Sequence, residues 1–491
     1  LLRLGAERAG GREWPGAHEP GTVGPARMRL VSEAMRPAAT TEAWRGERGS
    51  IGAEALAGVR RIDACEPHEE AGAVALVLRE VLETPGRTGA LVTPDRALAR
   101  RVASILGRWG VDIDDSAGTP LADTPTGIFL RLVVALVHEG AAPVPLLAAL
   151  KHPLASGGQA TVAFRARVRD LERVILRGPR PARGFEGLRR TAERTAYRAA
   201  KHGWTGPQDL EKLPDILVMI DGLAGIAAPM TEVMDQANAD LSDIVQAHIG
   251  LCEALAASAE ETGATRLWAG EAGEALATFV AELLEAGPAL GPVPPGRYAA
   301  LFDALLAGRV VRPRFGAHPR LSILGPLEAR LQHFDVVVLG GLNEGSWPPE
   351  ADVDPWMGRT MRSDFGLPSP ERRIGLSAHD FAQAFCAERV VLSRSERVDG
   401  APNMPSRWLT RLDVAADALG LKAAREDEQQ ARSYLHWWRA LDGPRLDQVT
   451  DGKAVRPRPA PPVSARPRQL SVTQIETWMR DPYAIYAREV L

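Results

Sequence analysis

Apolar residues recur along this chain in two different rhythms, and the rhythms divide it. Around residues 66–86, "EPHEEAGAVALVLREVLETPG" places them on one helical face and stops at Pro85-Gly86, which predicts an amphipathic helix. The next stretch, "TGALVTPDRALARRVASILGRWGVDIDDSAG", reads as strand, helix, strand. Leu91-Val92 supply the first strand, Leu98, Val102, Ile105, Leu106 and Trp109 share one helical face, and Gly110 falls where a C-terminal cap belongs. "TGIFLRLVVALVHEG" is apolar nearly all round, so this helix is expected to be buried. From about residue 160 to 300 the rhythm is helical, with breaks at "KHGWTGPQD" and "AGPALGPVPPG". Short strands return in "PRLSILG" and "FDVVVLGG", followed by a helix through "IGLSAHDFAQAFC" and a strand at "RVVLSRS". Short apolar strands alternating with helices predict an α/β domain whose parallel sheet is covered on both faces.

The flanks read differently. Residues 1–50, rich in Gly, Pro and Arg, hold no sustained period and look like the remnant of an upstream domain. "RPRPAPPVSARPRQ" is a proline-rich, semi-rigid linker. It leads into "LSVTQIETWMRDPYAIYAREVL", the first helix of a further domain. A chain that opens on Leu1 and runs in a helix into Leu491 reads as a piece cut at both ends. The expected division is 51–158 and 306–420 as two parts of one α/β domain, 159–305 as an all-helical insertion, 421–469 as a helix and linker, and 470–491 as the start of another domain. At 491 residues, about three domains fit the length.

Composition narrows the classes. Apolar content of 45% and charged content of 25% are those of a globular protein. A net charge of −3 provides no chain-wide field for nucleic acid, so any such contact needs a local channel or a partner. Cys65, Cys252 and Cys386 lie far apart, match neither a disulfide framework nor a zinc spacing, and fit a reducing cytoplasm. No apolar stretch is expected to reach the length of a membrane span, and no signal peptide is apparent.

Several chemistries lack their residues. The phosphate-cradling G-x-x-x-x-G-K-[ST] pattern does not occur, and the one Gly-Lys pair, Gly452-Lys453, is followed by alanine. Asp451-Gly452-Lys453 is a superficial match to a carboxylate–lysine nuclease pair and reads better as a turn. Histidines do not cluster at metal-ligand spacing. His379 and Asp380, adjacent on a helix, point in different directions. No catalytic, metal-binding or ATP-binding set can be assembled.

Several stretches, in order, resemble the second half of a superfamily-one DNA helicase, and more closely the AddB family, subunits of the bacterial helicase–nucleases that process double-strand breaks. These are "GALVTPDRALARRVASILGRWGVDIDDSAGTPL", "LLAALKHPLASGG", "ILGPLEARLQHFDVVVLGGLNEGSWP", "ERRIGLSAHDFAQAF" and "VVLSRSERVDGAPNMPSRWLTRL". "DDSAG", "GGLNEGSWP", "AHDFAQA" and "SRWL" are the distinctive wording, and together the stretches cover most of 50–415. The resemblance implies a RecA-like helicase domain carrying a helical insertion. Departures from a working motor are informative. Against a motor stretch of the form "THSAKGLEFDVVFL", Pro326 and Leu327 replace the Thr-His pair and "RLQH" replaces "KGLE". Phe381 occupies the place of the arginine that would reach the γ-phosphate, where a guanidinium is worth orders of magnitude in rate.

The resemblance implies a motor-inactive scaffold that guides single-stranded DNA, from single- and double-stranded ends, toward a C-terminal nuclease requiring Mg2+. An ATP-driven AddA subunit would be its partner. "SVTQIETWMRDPYAIYAREVL" resembles the opening helix of that nuclease domain, whose catalytic residues would lie beyond Leu491. Asp481 stands where some relatives carry an iron–sulfur cysteine, so no cluster is expected. A non-catalytic structural subunit of the same complex, or an active ATP-dependent helicase, are the alternatives.

Candidate DNA-binding residues lie just past the strands. Gly340-Gly341 would let the backbone approach a partner, Asn343 can donate and accept, and Trp347 either offers a face for a base or plugs its loop. Thr93 and Arg96 could hold phosphates, or Asp95 could simply cap the helix. Arg394, Arg397 and Arg407 with Trp408 form a basic stretch with an aromatic, or a solvated surface.

Overall fold

Runs such as Val336–Leu339 are apolar at every position, which suits strands buried on both faces of a parallel sheet. In the computed structural model, which describes residues 24–202, 211–312, 318–350, 355–421, 428–443, 456 and 458–490, they pair as neighbours. The strands are β1 (Val59–Ala64), β2 (Gly89–Val92), β3 (Asp114–Asp115), β4 (Leu321–Leu324), β5 (Val336–Leu339) and β6 (Arg389–Ser395). They form one all-parallel sheet in the order β1-β6-β5-β2-β4-β3. The sequence regions 89–115 and 320–395 thus share a single sheet, with β2 central and paired to both β4 and β5. β1 was not anticipated. Its Arg60, Arg61 and Asp63 break any strand rhythm, which an edge position tolerates.

On one face, Val92, Val337, Leu339, Val390 and Leu392 pack against helices Pro25–Ala34, Glu371–Phe385 and Arg407–Leu419. Each fully buried Val or Leu side chain there contributes about 1.5–3 kcal/mol relative to exposure. The alternate residues face helices Pro67–Val81 and Arg96–Arg108, which also pack on each other. The second of these ends as expected: Gly110 adopts φ +72°, and the bonds Gly110 N to Gly107 O and Val111 N to Leu106 O complete a Schellman cap.

Residues 25–56 do not stand apart as an upstream remnant. Leu30, Val31, Ala34, Trp44 and Ile51 belong to the sheet-face core, and buried Arg27 donates through Nε to Ala55 O at 3.2 Å. Residues 1–23 of that opening segment lie outside the described residues, as do Asp451-Gly452-Lys453 and most of the "KHGWTGPQD" break.

A second hydrophobic core is mainly helical, with one short antiparallel ribbon of Ala239–Asp240 on Pro292–Val293, and runs from Leu121 to Leu306, so the Pro125–His138 helix, largely buried as expected, belongs to the insertion rather than to the sheet. Its two connections to the sheet form an antiparallel ribbon, Thr119 opposite Val311 and Pro120 opposite Val310. Contrary to expectation, one helix, Leu213–Met234, has the length and apolarity to cross a membrane, by composition alone. Its buried residues Leu213, Ile216, Met219, Ile220, Leu223, Ala227 and Met230 recur at helical spacing and join the insertion core. Deep in that core His248 donates from Nε2 to Leu130 O at 3.0 Å, which leaves Nδ1 to accept from the Tyr298 hydroxyl at 2.9 Å.

Residues 437–491 form a separate compact unit. The single helix expected at its end is two, Val472–Arg480 and Pro482–Glu489. Pro482 lacks the N–H to continue the first, and Asp481 caps the second by accepting from Ala484 N at 3.2 Å.

Candidate nucleic-acid interface at the carboxyl edge of the sheet

Ligands of open parallel sheets bind beyond the carboxyl ends of the strands. Here that edge is built by the first turn of the Pro67–Val81 helix, residues 93–95 after β2, residues 340–350 after β5 and residues 396–406 after β6. The two glycines that open the β5 loop are both required. A Cβ on Gly340 would lie 2.7 Å from Leu91 Cδ1 and 2.9 Å from Leu98 Cδ2, and Gly341 has φ +70°. The close approach they allow is to the protein's own helix rather than to a bound partner.

A buried polar network fills the space behind them. Glu70 Oε1 accepts from Gly341 N at 2.9 Å and from Ser393 Oγ at 2.8 Å. Burial, only partly offset by those two bonds, pushes its carboxyl up to about 7. Arg394, 7% exposed, donates from Nη1 to Asp63 Oδ1 at 3.2 Å, from Nη2 to Asn403 O at 2.7 Å, and from Nε to Asn343 Oδ1 at 3.4 Å. Asn343 donates in turn from Nδ2 to Ser395 Oγ at 3.1 Å. Asn343 therefore donates and accepts as its chemistry suggested, but to protein partners. Neither it nor Arg394 is presented to a nucleic acid.

The aromatic candidates are corrected in the same direction. Trp347 is fully buried, its Nε1 donates to Gly340 O at 3.0 Å, and its ring meets Phe381 edge-on at 6.2 Å. It plugs the loop and offers no face to a base. Trp408 is buried too, donating from Nε1 to Ser377 Oγ at 3.2 Å. Thr93 is buried, and its Oγ1 accepts from Asp95 N at 3.0 Å. Asp95 caps the Arg96–Arg108 helix by accepting from Ala97 N at 2.8 Å and Leu98 N at 3.1 Å, so the capping alternative describes this loop.

Of the candidates, Arg397 and Arg407 are exposed and Arg96 is partly so, while the others are buried. Arg96 is paired with Asp115. Arg407 donates from Nε to Glu344 Oε1 at 3.0 Å and from its backbone N to Oε2 at 3.1 Å. Arg397 is exposed on the short hairpin that follows β6. Asp380, beside His379, accepts from Arg330 Nε at 2.6 Å instead of serving a catalytic pair. Phe381 is fully buried and stacks on Phe385 at 5.8 Å.

Glu70 escaped the sequence analysis, although a signal was present. It precedes Val74, Val77, Leu78 and Val81 by four, seven, eight and eleven residues, and so is an acid on the apolar stripe of its own helix.

No family model matches the chain. Similar proteins occur in Rickettsia, each described only as an uncharacterized protein. That of Rickettsia felis is 23% identical over 226 residues, 46% of this chain and 25% of the relative. That of Rickettsia conorii is 22% identical over 226 residues with the same shares, and that of Rickettsia bellii 23% over 225 residues, 46% of this chain and 26% of the relative. In these matches the chain spans about a quarter of the length of the curated relatives.

Proposed function

We propose that this chain belongs to an AddB-type subunit of a helicase–nuclease that resects double-strand breaks for recombinational repair. In this reading the sheet is a RecA-like scaffold that has lost its motor chemistry and guides single-stranded DNA toward a C-terminal, Mg2+-dependent nuclease, while an ATP-hydrolysing AddA subunit pulls. The observation that carries it is the shared parallel sheet: the segments that resemble helicase strands, 89–115 and 320–395, lie side by side with their outgoing loops along one edge. A supporting detail is Phe381, which fills the core at the place where a motor would present an arginine. DNA contacts at this edge fall to Arg96, Arg397 and Arg407, since the other candidates are turned inward.

One observation favours the second reading, a non-catalytic structural subunit of the same complex. Most polar groups at the edge satisfy one another, as they do in a scaffold, and leave few donors for a ligand, Arg96 Nη1 being one buried exception. Reconstituting the complete protein with an AddA-type subunit separates the possibilities. Linear duplex should be degraded only with ATP, Mg2+ and both subunits present, and the complete protein alone should hydrolyse no ATP when DNA is added. ATP turnover by the protein alone removes the motor-inactive reading. Failure to associate with the partner removes the subunit reading, and degradation that survives loss of its nuclease carboxylates favours the structural one.

A further inference from the structure

A groove of about 780 Å³ lies in the helical insertion, far in sequence from every candidate above. Among the described residues Lys151, Arg165, Arg169, Arg173, Arg177 and Lys212 line it, against two acids, Asp170 and Glu172. The chain as a whole is acidic, with a net charge of −3, so this surplus of four positive charges is local.

The four arginines follow one another at intervals of four residues along the Thr161–Leu171 helix and the turn after it. Like charges four apart on a helix repel and are unfavourable for the helix itself. The acids relieve part of the repulsion: Lys151 and Arg177 pair with Glu172, and Lys212 with Asp170 at 2.7 Å. Among the described residues, the exposed Arg165 and Arg169 have no carboxylate partner.

The local backbone keeps this row in line. At about 3.6 residues per turn, a step of four overshoots each turn by about 40°, so the row would wind off its face. Residues Glu172–Leu176 form a π-helical turn, closed by Arg177 N donating to Glu172 O at 3.1 Å. A π turn is wider than an α turn and takes part of that drift back at the last step, and such turns recur at functional sites. At about 1.5 Å per residue the row from Arg165 to Arg177 extends ~18 Å. That length suits a linear polyanion and exceeds what one small anion can occupy.

We propose that this groove holds the phosphodiester backbone of single-stranded nucleic acid, without reading its bases. Among the described residues no aromatic side chain lines it, so the contacts are charge and hydrogen bonds to phosphate. This inference stands on the groove's own charges and not on the reading of the sheet, so the two can fail separately.

The test is binding of fluorescein-labelled single-stranded oligonucleotides to the full chain, followed by anisotropy from about 50 to about 200 mM salt. The Arg165→Ala/Arg169→Ala double variant removes two exposed cations that make no ion pair, and circular dichroism checks that its helices persist. Each lost phosphate contact lowers the slope of log affinity against log salt by about 0.7, so the slope should fall by about 1.4 and affinity by about 25-fold near 0.1 M salt. The loss should be equal for homopolymer and mixed sequences. Arg165→Lys/Arg169→Lys should restore most of the binding. Unchanged affinity and slope in the alanine variant overturn the proposal. So does competition by polyglutamate as effective as that by an oligonucleotide of equal charge, which would point to an acidic protein partner instead.

Discussion

Replacing Glu70 with glutamine tests whether the buried carboxyl at the sheet edge governs local stability. In the folded protein its proton is held more tightly than in the unfolded chain, because the charged form is stripped of water and flanked by Asp95, with Arg394 opposing only weakly. The stabilisation is therefore complete below the unfolded value of 4.5 and drains away as pH climbs through about 7. Since a tenfold change in proton affinity corresponds to about 1.4 kcal/mol, the rise from 4.5 to about 7 amounts to ~3 kcal/mol. Glutamine keeps an oxygen that can accept from Gly341 N and Ser393 Oγ but cannot ionise. Hydrogen exchange by mass spectrometry on a peptide spanning β5 and Gly340–Leu342, corrected for intrinsic rates, reads the effect locally. Wild type should lose ~3 kcal/mol of protection between about pH 4 and about pH 8, whereas Glu70→Gln should stay flat. Parallel losses in the two proteins would refute the reasoning.

Four further outcomes follow from the same contacts. His248 behaves oppositely: burial lowers its pKa to about 4, so the insertion is at full stability above the ordinary value of 6.5 and should weaken by ~3 kcal/mol as pH falls toward 4, read by exchange in the Leu241–Ala256 helix. Arg394→Ala leaves Asp63 and Asn343 short of a donor and should cost about 2 kcal/mol in urea denaturation. Trp347→Ala should cost about 3–5 kcal/mol, as core truncations do, while Trp347→Phe should leave oligonucleotide affinity unchanged. Asp95→Ala should cost about 1 kcal/mol through loss of the helix cap, with faster exchange confined to the first turn of Arg96–Arg108.

What could be read from the sequence was local. The strand–helix unit at 89–110, the strands at 321–324 and 336–339 and the helix at 371–385 each carry their period within a short window, and each formed where expected. β1 was missed because only Val59, Ile62 and Ala64 of its six residues are apolar, and they do not alternate. The candidate site was legible by position only. Its loops do leave the carboxyl edge, but the direction of each side chain depends on partners remote in sequence. Asp63 meets Arg394 across 331 residues and Asn343 meets it across 51, and Trp347, in a loop, finds Phe381 on a helix. No window-based pattern contains such pairs. The insertion's boundary was placed late for a related reason: an all-round apolar helix at 125–138 is equally at home under a sheet or inside a bundle.

The pairing of Pro120 with Val310 places the start and finish of a helical block of nearly two hundred residues next to each other. Such a block behaves as a removable cassette: a tight turn spliced between those two positions would reconnect the chain with little disturbance to its register. The converse also holds, since foreign helical modules could be grafted at the same doorway without asking the surrounding strands to move.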